Sequence, residues 1–183
     1  MTRDEALAIV KKYTKKDITY RHLISVEGVM RALARHFEAD EDRWGLAGLL
    51  HDLDYEDTAD DFERHTLLTV EWLRAEGYDD EVVLNAILAH KDPAYRKDLI
   101  DRVIVHADAV AGLLVACALV RPEKAQGMKV SSVKKKLKEK SFAPGVEREE
   151  IRDVEESIGI PLDEFLQIGI EGLQAVAPEI ELA

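Results

Sequence analysis

Apolar residues recur every three or four positions through almost all of this 183-residue chain, a spacing that predicts helices. No segment alternates strictly between apolar and polar residues, as a half-buried strand would. The predicted helices differ in length and connection, so we expect an all-α, irregular multi-helix fold instead of an up-and-down bundle. We expect a single domain over residues 1–183, with a core at about 20–120 and a C-terminal helical extension at about 121–183.

Residues that typically begin or end helices mark out nine predicted helices. The most apolar helix, Leu99–Val120, is expected at the centre of the fold. The last helix has enough apolar surface to cover either its own core or a second copy of the chain. For the lysine-rich helix, Ser131 or Ser132 is expected to be the N-cap. The nine span about Thr2–Tyr13, Tyr20–Phe37, Asp40–Asp52, Phe62–Glu76, Asp80–His90 (or from Asp79), Leu99–Val120, Lys129–Lys140, Glu147–Ser157 and Pro161–Ala177.

The charge balance limits the classes of partner. Thirty-seven acidic and 25 basic residues give a net charge of −12, which argues against nucleic-acid polymers and anionic membranes but permits a small anionic substrate. The one cysteine, Cys117, allows neither an internal disulfide nor a cysteine-based zinc site, and we expect it in the core. The N-terminus has no apolar signal region, so we expect a cytoplasmic protein.

Six imidazole and carboxylate side chains fall on apolar helical faces. Burying such groups without partners is unfavourable, and together they form the ligand set of a transition-metal ion. Taken singly, each histidine is more commonly an ordinary core residue, and Asp108 of the most apolar helix could instead pair with Arg102 or Arg121. Five predicted helices contribute to the set, which favours a shared metal site. The six are His22, His51, Asp52, His65, His90 and Asp108.

The order of these residues resembles that of the HD superfamily of metal-dependent phosphohydrolases, over about Arg21–Val120. The resemblance implies that one divalent metal ion is bound by His22, His51, Asp52 and Asp108. It further implies that Asp52 bridges to a second ion held by His65 and His90. Manganese, iron, zinc, cobalt or nickel would suit such ligands. The implied reaction is hydrolysis of a small phosphate ester, such as a nucleotide, by metal-activated water.

The residues after the His51-Asp52 pair depart from a known pattern of the superfamily. Members that cleave cyclic dinucleotides often continue with Gly and Lys, whereas this chain continues with Leu53-Asp54-Tyr55-Glu56. The missing lysine weighs against a cyclic-dinucleotide substrate. Asp54 and Glu56 are candidates for protonating a leaving group or orienting water, and the alternative is a solvated acidic loop.

Several cations lie close in sequence to the proposed ligands. Lys91 and Arg64 are the candidates for binding substrate phosphate, and Arg21 also neighbours a ligand. The basic segment Lys129–Lys140 is either a phosphate-attracting lid or a solvated helix face.

Two histidines, His36 and His106, do not fit the pattern and are expected to be structural or exposed.

Two further functions are compatible with the residues. The same ligands could hold a di-iron centre for oxygen-dependent chemistry, or the chain could be a non-catalytic, metal-stabilised sensor or binding module.

Overall fold

A computed structural model describes all residues from Met1 to Ala183, with ten α-helices and no strand. The predicted all-α class is therefore confirmed. Short 3₁₀ turns lie at Phe62–Arg64, Pro93–Tyr95 and Ala177–Ile180. The helices are α1 (Arg3–Tyr13), α2 (Asp17–His36), α3 (Glu41–Leu50), α4 (Leu67–Ala75), α5 (Glu81–Lys91), α6 (Leu99–Leu119), α7 (Val130–Lys138), α8 (Arg148–Arg152), α9 (Val154–Ile158) and α10 (Leu162–Val176).

Three helix starts have the side-chain caps that the sequence predicts. Thr2 and Glu5 form a capping box at the start of α1, each side chain accepting a hydrogen bond from the other residue's backbone N–H. The side chains of Asp40 and Asp80 accept hydrogen bonds from backbone N–H groups in the first turns of α3 and α5, respectively. The lysine-rich helix is different: its N-cap is Lys129, which makes no side-chain bond, so the predicted cap by Ser131 or Ser132 is wrong.

Two of the predicted helices are broken. The stretch Phe62–Glu76 begins as a 3₁₀ turn and becomes helical again only at Leu67, because Thr66 adopts a φ of 69° that no right-handed helix can contain. The stretch Glu147–Ser157 divides at Asp153 into α8 and α9. Periodicity did not reveal either break, because the apolar spacing continues across both.

Helix α6 packs against α2, α5 and α10 and forms the centre of the fold, as predicted. By length and composition alone this helix could cross a membrane, but 67% of its apolar window is buried within the protein, as in the core helix of a soluble protein. Cys117 is a free, buried residue on this helix, as expected.

The crossing of α2 and α10 depends on two glycines. A Cβ added to Gly172 would lie 2.6 Å from the carbonyl oxygen of Gly28 and 2.7 Å from the Cα of Val29. Both neighbours are backbone atoms that cannot move aside, so the absence of side chains lets the two helix backbones approach closely. This contact fixes α2, which carries His22, against the rest of the core.

The last third of the chain covers the same core. Phe165, Leu166 and Leu173 of α10 are buried, so the apolar face of this helix is used within the chain. Helix α7 buries Val133 and Leu137 and turns its lysines outward, which favours the solvated-face interpretation of the basic segment over the lid.

Candidate metal centre

Six side chains from separate parts of the chain meet at one site. Three lie on helices: His22 on α2, His90 on α5 and Asp108 on α6. The other three lie outside helices, which corrects the sequence prediction. His51 and Asp52 follow directly after the end of α3, and His65 lies between a 3₁₀ turn and α4.

The nitrogen and oxygen atoms of these residues converge within a few ångströms. The Nε2 atoms of His22 and His90 lie 2.9 and 3.1 Å from the two carboxylate oxygens of Asp108. The Nε2 atom of His51 lies 3.7 Å from a carboxylate oxygen of both Asp52 and Asp108. In two trios all candidate ligand atoms lie within 4.8 Å of one another: His22, His51 and Asp108, and His51, Asp52 and His90.

The alternative partners for Asp108 are excluded by these contacts. Its carboxylate pairs with histidines and with no arginine. Arg121 instead donates to backbone carbonyls of the segment that follows α6, and Arg102 forms no ion pair.

Two buried atoms at the centre of the cluster have no hydrogen-bond partner: Nε2 of His51 and Oδ1 of Asp52. The other ring nitrogen of His51 donates to the Gly48 carbonyl at 2.8 Å, so in the neutral imidazole Nε2 carries a lone pair. A buried lone pair and a buried carboxylate oxygen without partners are costly, and a cation would compensate for both. The donor set therefore fits a divalent metal ion.

The opposite charges in the cluster shift one another's pKa values. Burial lowers the pKa of His51, but the negative charges of Asp52 and Asp108 outweigh this effect and raise that pKa to about 9. Burial likewise lowers the pKa of His65, and Asp52 and Asp54 raise it to about 9. Burial alone would raise the pKa of Asp108, yet the surrounding imidazoles of His22, His51 and His90 hold it well below its usual value.

The candidate ligands differ in how far they are exposed to solvent. The side chains of His22 and Asp108 are 26% and 29% exposed, whereas those of His51 and His65 are almost completely buried. The apolar sequence neighbours of Asp108 suggested that it lies in the middle of the core. Its side chain is instead partly exposed. The two most exposed candidate ligands thus lie on α2 and α6.

Asp54 lies behind His65 and is completely buried. Its Oδ1 accepts a hydrogen bond from His65 Nδ1 at 2.8 Å, and its Oδ2 accepts one from the backbone N–H of Thr69 at 3.0 Å. The solvated-loop interpretation of Asp54 is therefore wrong. Its contacts also argue against a proton-donor role, because both oxygens already accept hydrogen bonds.

Glu56 points away from the cluster. Its Oε1 accepts hydrogen bonds from the backbone N–H groups of Lys15 and Lys16, at the start of α2. Lys16 is the N-cap of that helix and makes no side-chain bond there, so Glu56 supplies a carboxylate where the helix needs one. These contacts argue against the predicted catalytic role of Glu56.

The candidate phosphate-binding cations have different surroundings. Lys91 donates to the carbonyl of Phe62 and lies 4.9 Å from the centre of its ring. Arg64 is exposed and forms no ion pair, so its guanidinium is free. Arg21 is engaged elsewhere, with Asp17 and with a glutamate near the C-terminus.

Sequence reasoning missed the aromatic rings beside His65. The ring of Phe62 stacks on His65 with centroids 4.9 Å apart, and the ring of Tyr55 lies 6.1 Å away on edge. Both residues are more than half exposed, which is unusual for aromatic side chains. The sequence predicted Phe62 in a continuous helix with His65, so its place beside the His65 ring depends on the break between the 3₁₀ turn and α4.

The two remaining histidines lie outside the cluster, as expected. His106 is buried and bonds to the carbonyl of Glu150 and the hydroxyl of Ser157. His36 is partly exposed, 3.7 Å from Glu164. Neither contacts any of the six residues of the cluster.

Comparison with known families matches residues 19–113, just over half of the chain, to a family model described as HD domain. The matched region contains all six residues of the cluster. No curated protein and no solved structure matches the chain.

Proposed function

Since the chain belongs to the HD domain family of metal-dependent phosphohydrolases, we propose that it hydrolyses a small phosphate ester, such as a nucleotide. The observation that carries this proposal is the buried pair of atoms without partners, His51 Nε2 and Asp52 Oδ1, at the centre of the cluster. Atoms of this kind are suited to binding a cation and serve no evident structural purpose.

We assign one divalent ion to His22, His51, Asp52 and Asp108, and a second to Asp52, His65 and His90. The donor types suit manganese, iron, zinc, cobalt or nickel. Such ions lower the pKa of bound water and stabilise the charge that develops on a phosphoryl group. Asp52 has one carboxylate oxygen near His51 and the other near His65, which suits it to bridging both positions.

The other residues of the site would bind and orient the substrate. Of the candidate ligands, His51 and His65 are almost completely buried, whereas His22 and Asp108 are partly exposed and could be reached by a phosphate group. We propose Arg64 and Lys91 as phosphate-binding residues. Arg64 has no competing carboxylate, and Lys91 is held close to His65 through Phe62.

Phe62 and Tyr55 favour a substrate that carries a flat ring. Their exposed rings flank His65 and leave an aromatic surface free at the edge of the site. Stacking of a nucleobase on an aromatic side chain contributes about 1–3 kcal/mol. This free surface is the reason for preferring a nucleotide to a ring-free ester.

A panel of substrates tests the proposed function. We expect phosphate release to require a divalent metal, and kcat/KM to be at least about tenfold higher for nucleoside monophosphates than for glycerol phosphate, equivalent to about 1.4 kcal/mol of stacking. The preference should disappear in Phe62→Ala if stacking is its cause. A protein with a full complement of metal that releases phosphate from no member of the panel would contradict the proposal. Oxygen consumption by the iron-loaded protein would then support the di-iron alternative.

Metal affinity should depend strongly on pH. In the metal-free protein the pKa values of His51 and His65 are raised to about 9, so both imidazoles are protonated near neutral pH. A metal ion binds only the neutral ring, so binding releases these protons. We expect affinity to rise between about pH 6 and about pH 8, by up to about tenfold per pH unit for each proton released.

Calorimetric titration with zinc in buffers of different ionisation enthalpy measures the number of protons released. The pH dependence should weaken in His65→Gln, which has no ionisable ring. An affinity that stays constant over this pH range would contradict the prediction.

A further inference from the structure

We propose that Asp54 is a positioning residue that fixes the tautomer of His65 and thereby determines whether a second metal ion can bind. The inference rests on the two-ion centre proposed above. It concerns a residue that touches neither the ions nor the substrate, and it follows from contacts behind the site.

Four hydrogen bonds to three residues hold Asp54 in place, and two of them are made by its side chain. Its Oδ1 accepts from His65 Nδ1, and its Oδ2 accepts from the backbone N–H of Thr69. In return, the backbone N–H of Asp54 donates to the Thr69 hydroxyl at 3.1 Å. The carbonyl of Asp54 also accepts from the hydroxyl of Thr58 at 2.9 Å. The side chain therefore has little freedom to rotate.

The bond to Thr69 is a helix cap. Thr69 lies in the first turn of α4, where backbone N–H groups have no partner within the helix. The N-cap residue of α4, Thr66, makes no side-chain hydrogen bond, so Asp54 supplies the acceptor from another part of the chain. A carboxylate also interacts favourably with the positive end of the helix dipole. The helix thus requires an oxygen atom at Oδ2.

The opposite oxygen then determines the state of His65. A carboxylate oxygen can only accept from Nδ1, so this nitrogen carries the hydrogen, and once the ring is neutral Nε2 presents its lone pair to the site. Nε2 lies 3.2 Å from Asp52 Oδ1, where the second ion is proposed. The φ of 69° at Thr66 turns the chain directly after His65.

Substitution by asparagine would reverse this arrangement without changing the shape of the side chain. The buried N–H of Thr69 would keep the amide oxygen, because a buried backbone donor facing an NH₂ group would be unfavourable. The NH₂ group would then face His65 and donate to Nδ1. The ring would carry its hydrogen on Nε2, the nitrogen that should bind metal, as in the wrong tautomer that an aspartate-to-asparagine change produces in a catalytic triad.

The test is metal stoichiometry of Asp54→Asn after equilibration with zinc. We expect two ions per chain in the wild type and one in the variant, with the affinity for the second ion lowered about 10–100-fold and that for the first nearly unchanged. Nitrogen-15 NMR should show His65 with its hydrogen on Nδ1 in the wild type and on Nε2 in the variant. Circular dichroism should show the same helix content in both proteins.

Asp101→Asn is the matched control. Asp101 is also buried and accepts backbone N–H groups at a helix start, from Lys97 and Asp98, but it contacts none of the candidate ligands. This variant should keep both ions. Two ions bound to Asp54→Asn with wild-type affinity, or loss of an ion in Asp101→Asn as well, would overturn the proposal.

The outcome for Asp54 is separable from that for the proposed function. If the wild type binds only one ion, the two-ion centre is wrong, and NMR of His65 in alkaline buffer, where the ring is neutral, still tests the tautomer. Hydrogen on Nε2 in the wild type would overturn the role of Asp54 by itself. This measurement on the wild type also decides the matter if Asp54→Asn does not fold.

Discussion

Replacing Asp52 with alanine is expected to lower kcat/KM for phosphate release by at least about 10³-fold, because it removes the ligand proposed to bridge both metal positions. The loss of metal-assisted stabilisation of the transition state corresponds to about 4 kcal/mol or more. Asp52 is the residue of choice because its two oxygens approach different histidines, His51 and His65. Steady-state kinetics with saturating metal measures the effect, and elemental analysis measures the accompanying loss of metal.

Asp60→Ala is the control for this substitution. Asp60 lies exposed in the acidic segment that follows Asp52 and forms no ion pair. Its removal should therefore leave activity and metal content unchanged. Circular dichroism must show that Asp52→Ala keeps its helices, since the metal ion also stabilises the fold. Activity retained within tenfold by a folded Asp52→Ala protein would contradict the assignment of the metal centre.

Gly172→Ala is expected to lower the free energy of unfolding by about 3 kcal/mol, at the upper end of the usual cost of overpacking. The added Cβ would lie 2.6 Å from the Gly28 carbonyl oxygen and 2.7 Å from the Val29 Cα, both backbone atoms of α2. Relief requires α2 and α10 to move apart, which would also displace His22. Urea denaturation of metal-free protein measures the stability, and zinc titration measures the effect on the site.

Gly112→Ala is the same type of substitution, but it is expected to raise the free energy of unfolding. Gly112 lies inside α6, and a Cβ there would meet only Val146 Cγ2 at an ordinary 3.5 Å. Since alanine favours helix over glycine, this variant should be stabilised by about 0.5–1 kcal/mol. Equal effects of the two substitutions would show that α2 and α10 are not in close contact.

Local sequence patterns predicted much of the site because three of its members lie on long, regular helices. His22, His90 and Asp108 take their direction from the helical repeat, and each lies on a helix that the apolar spacing identified. His65 also reaches the cluster, but not for the predicted reason. It follows a 3₁₀ turn and precedes the left-handed φ of Thr66, a change of backbone direction that side-chain periodicity does not report.

Asp54 and Glu56 show the limits of the pattern more sharply. Both lie in a run of acidic residues that has the composition of a solvated loop. Asp54 is buried because Thr69, 15 positions later, offers it an unpaired helix N–H, and Glu56 is held by N–H groups some 40 positions earlier. Neither partner can be recognised locally, since hydrogen-bond acceptors for helix ends can come from any segment that folds nearby.

The sequence by itself determined the all-α class, the position of most helices and the direction of His22, His90 and Asp108, because these depend on spacing within single segments. Only the tertiary structure decided which way the loop after His51-Asp52 folds, and with it the roles of its carboxylates. The physical reason is that a buried charged group must find its partner wherever the fold brings one, and here those partners are the free ends of helices α2 and α4.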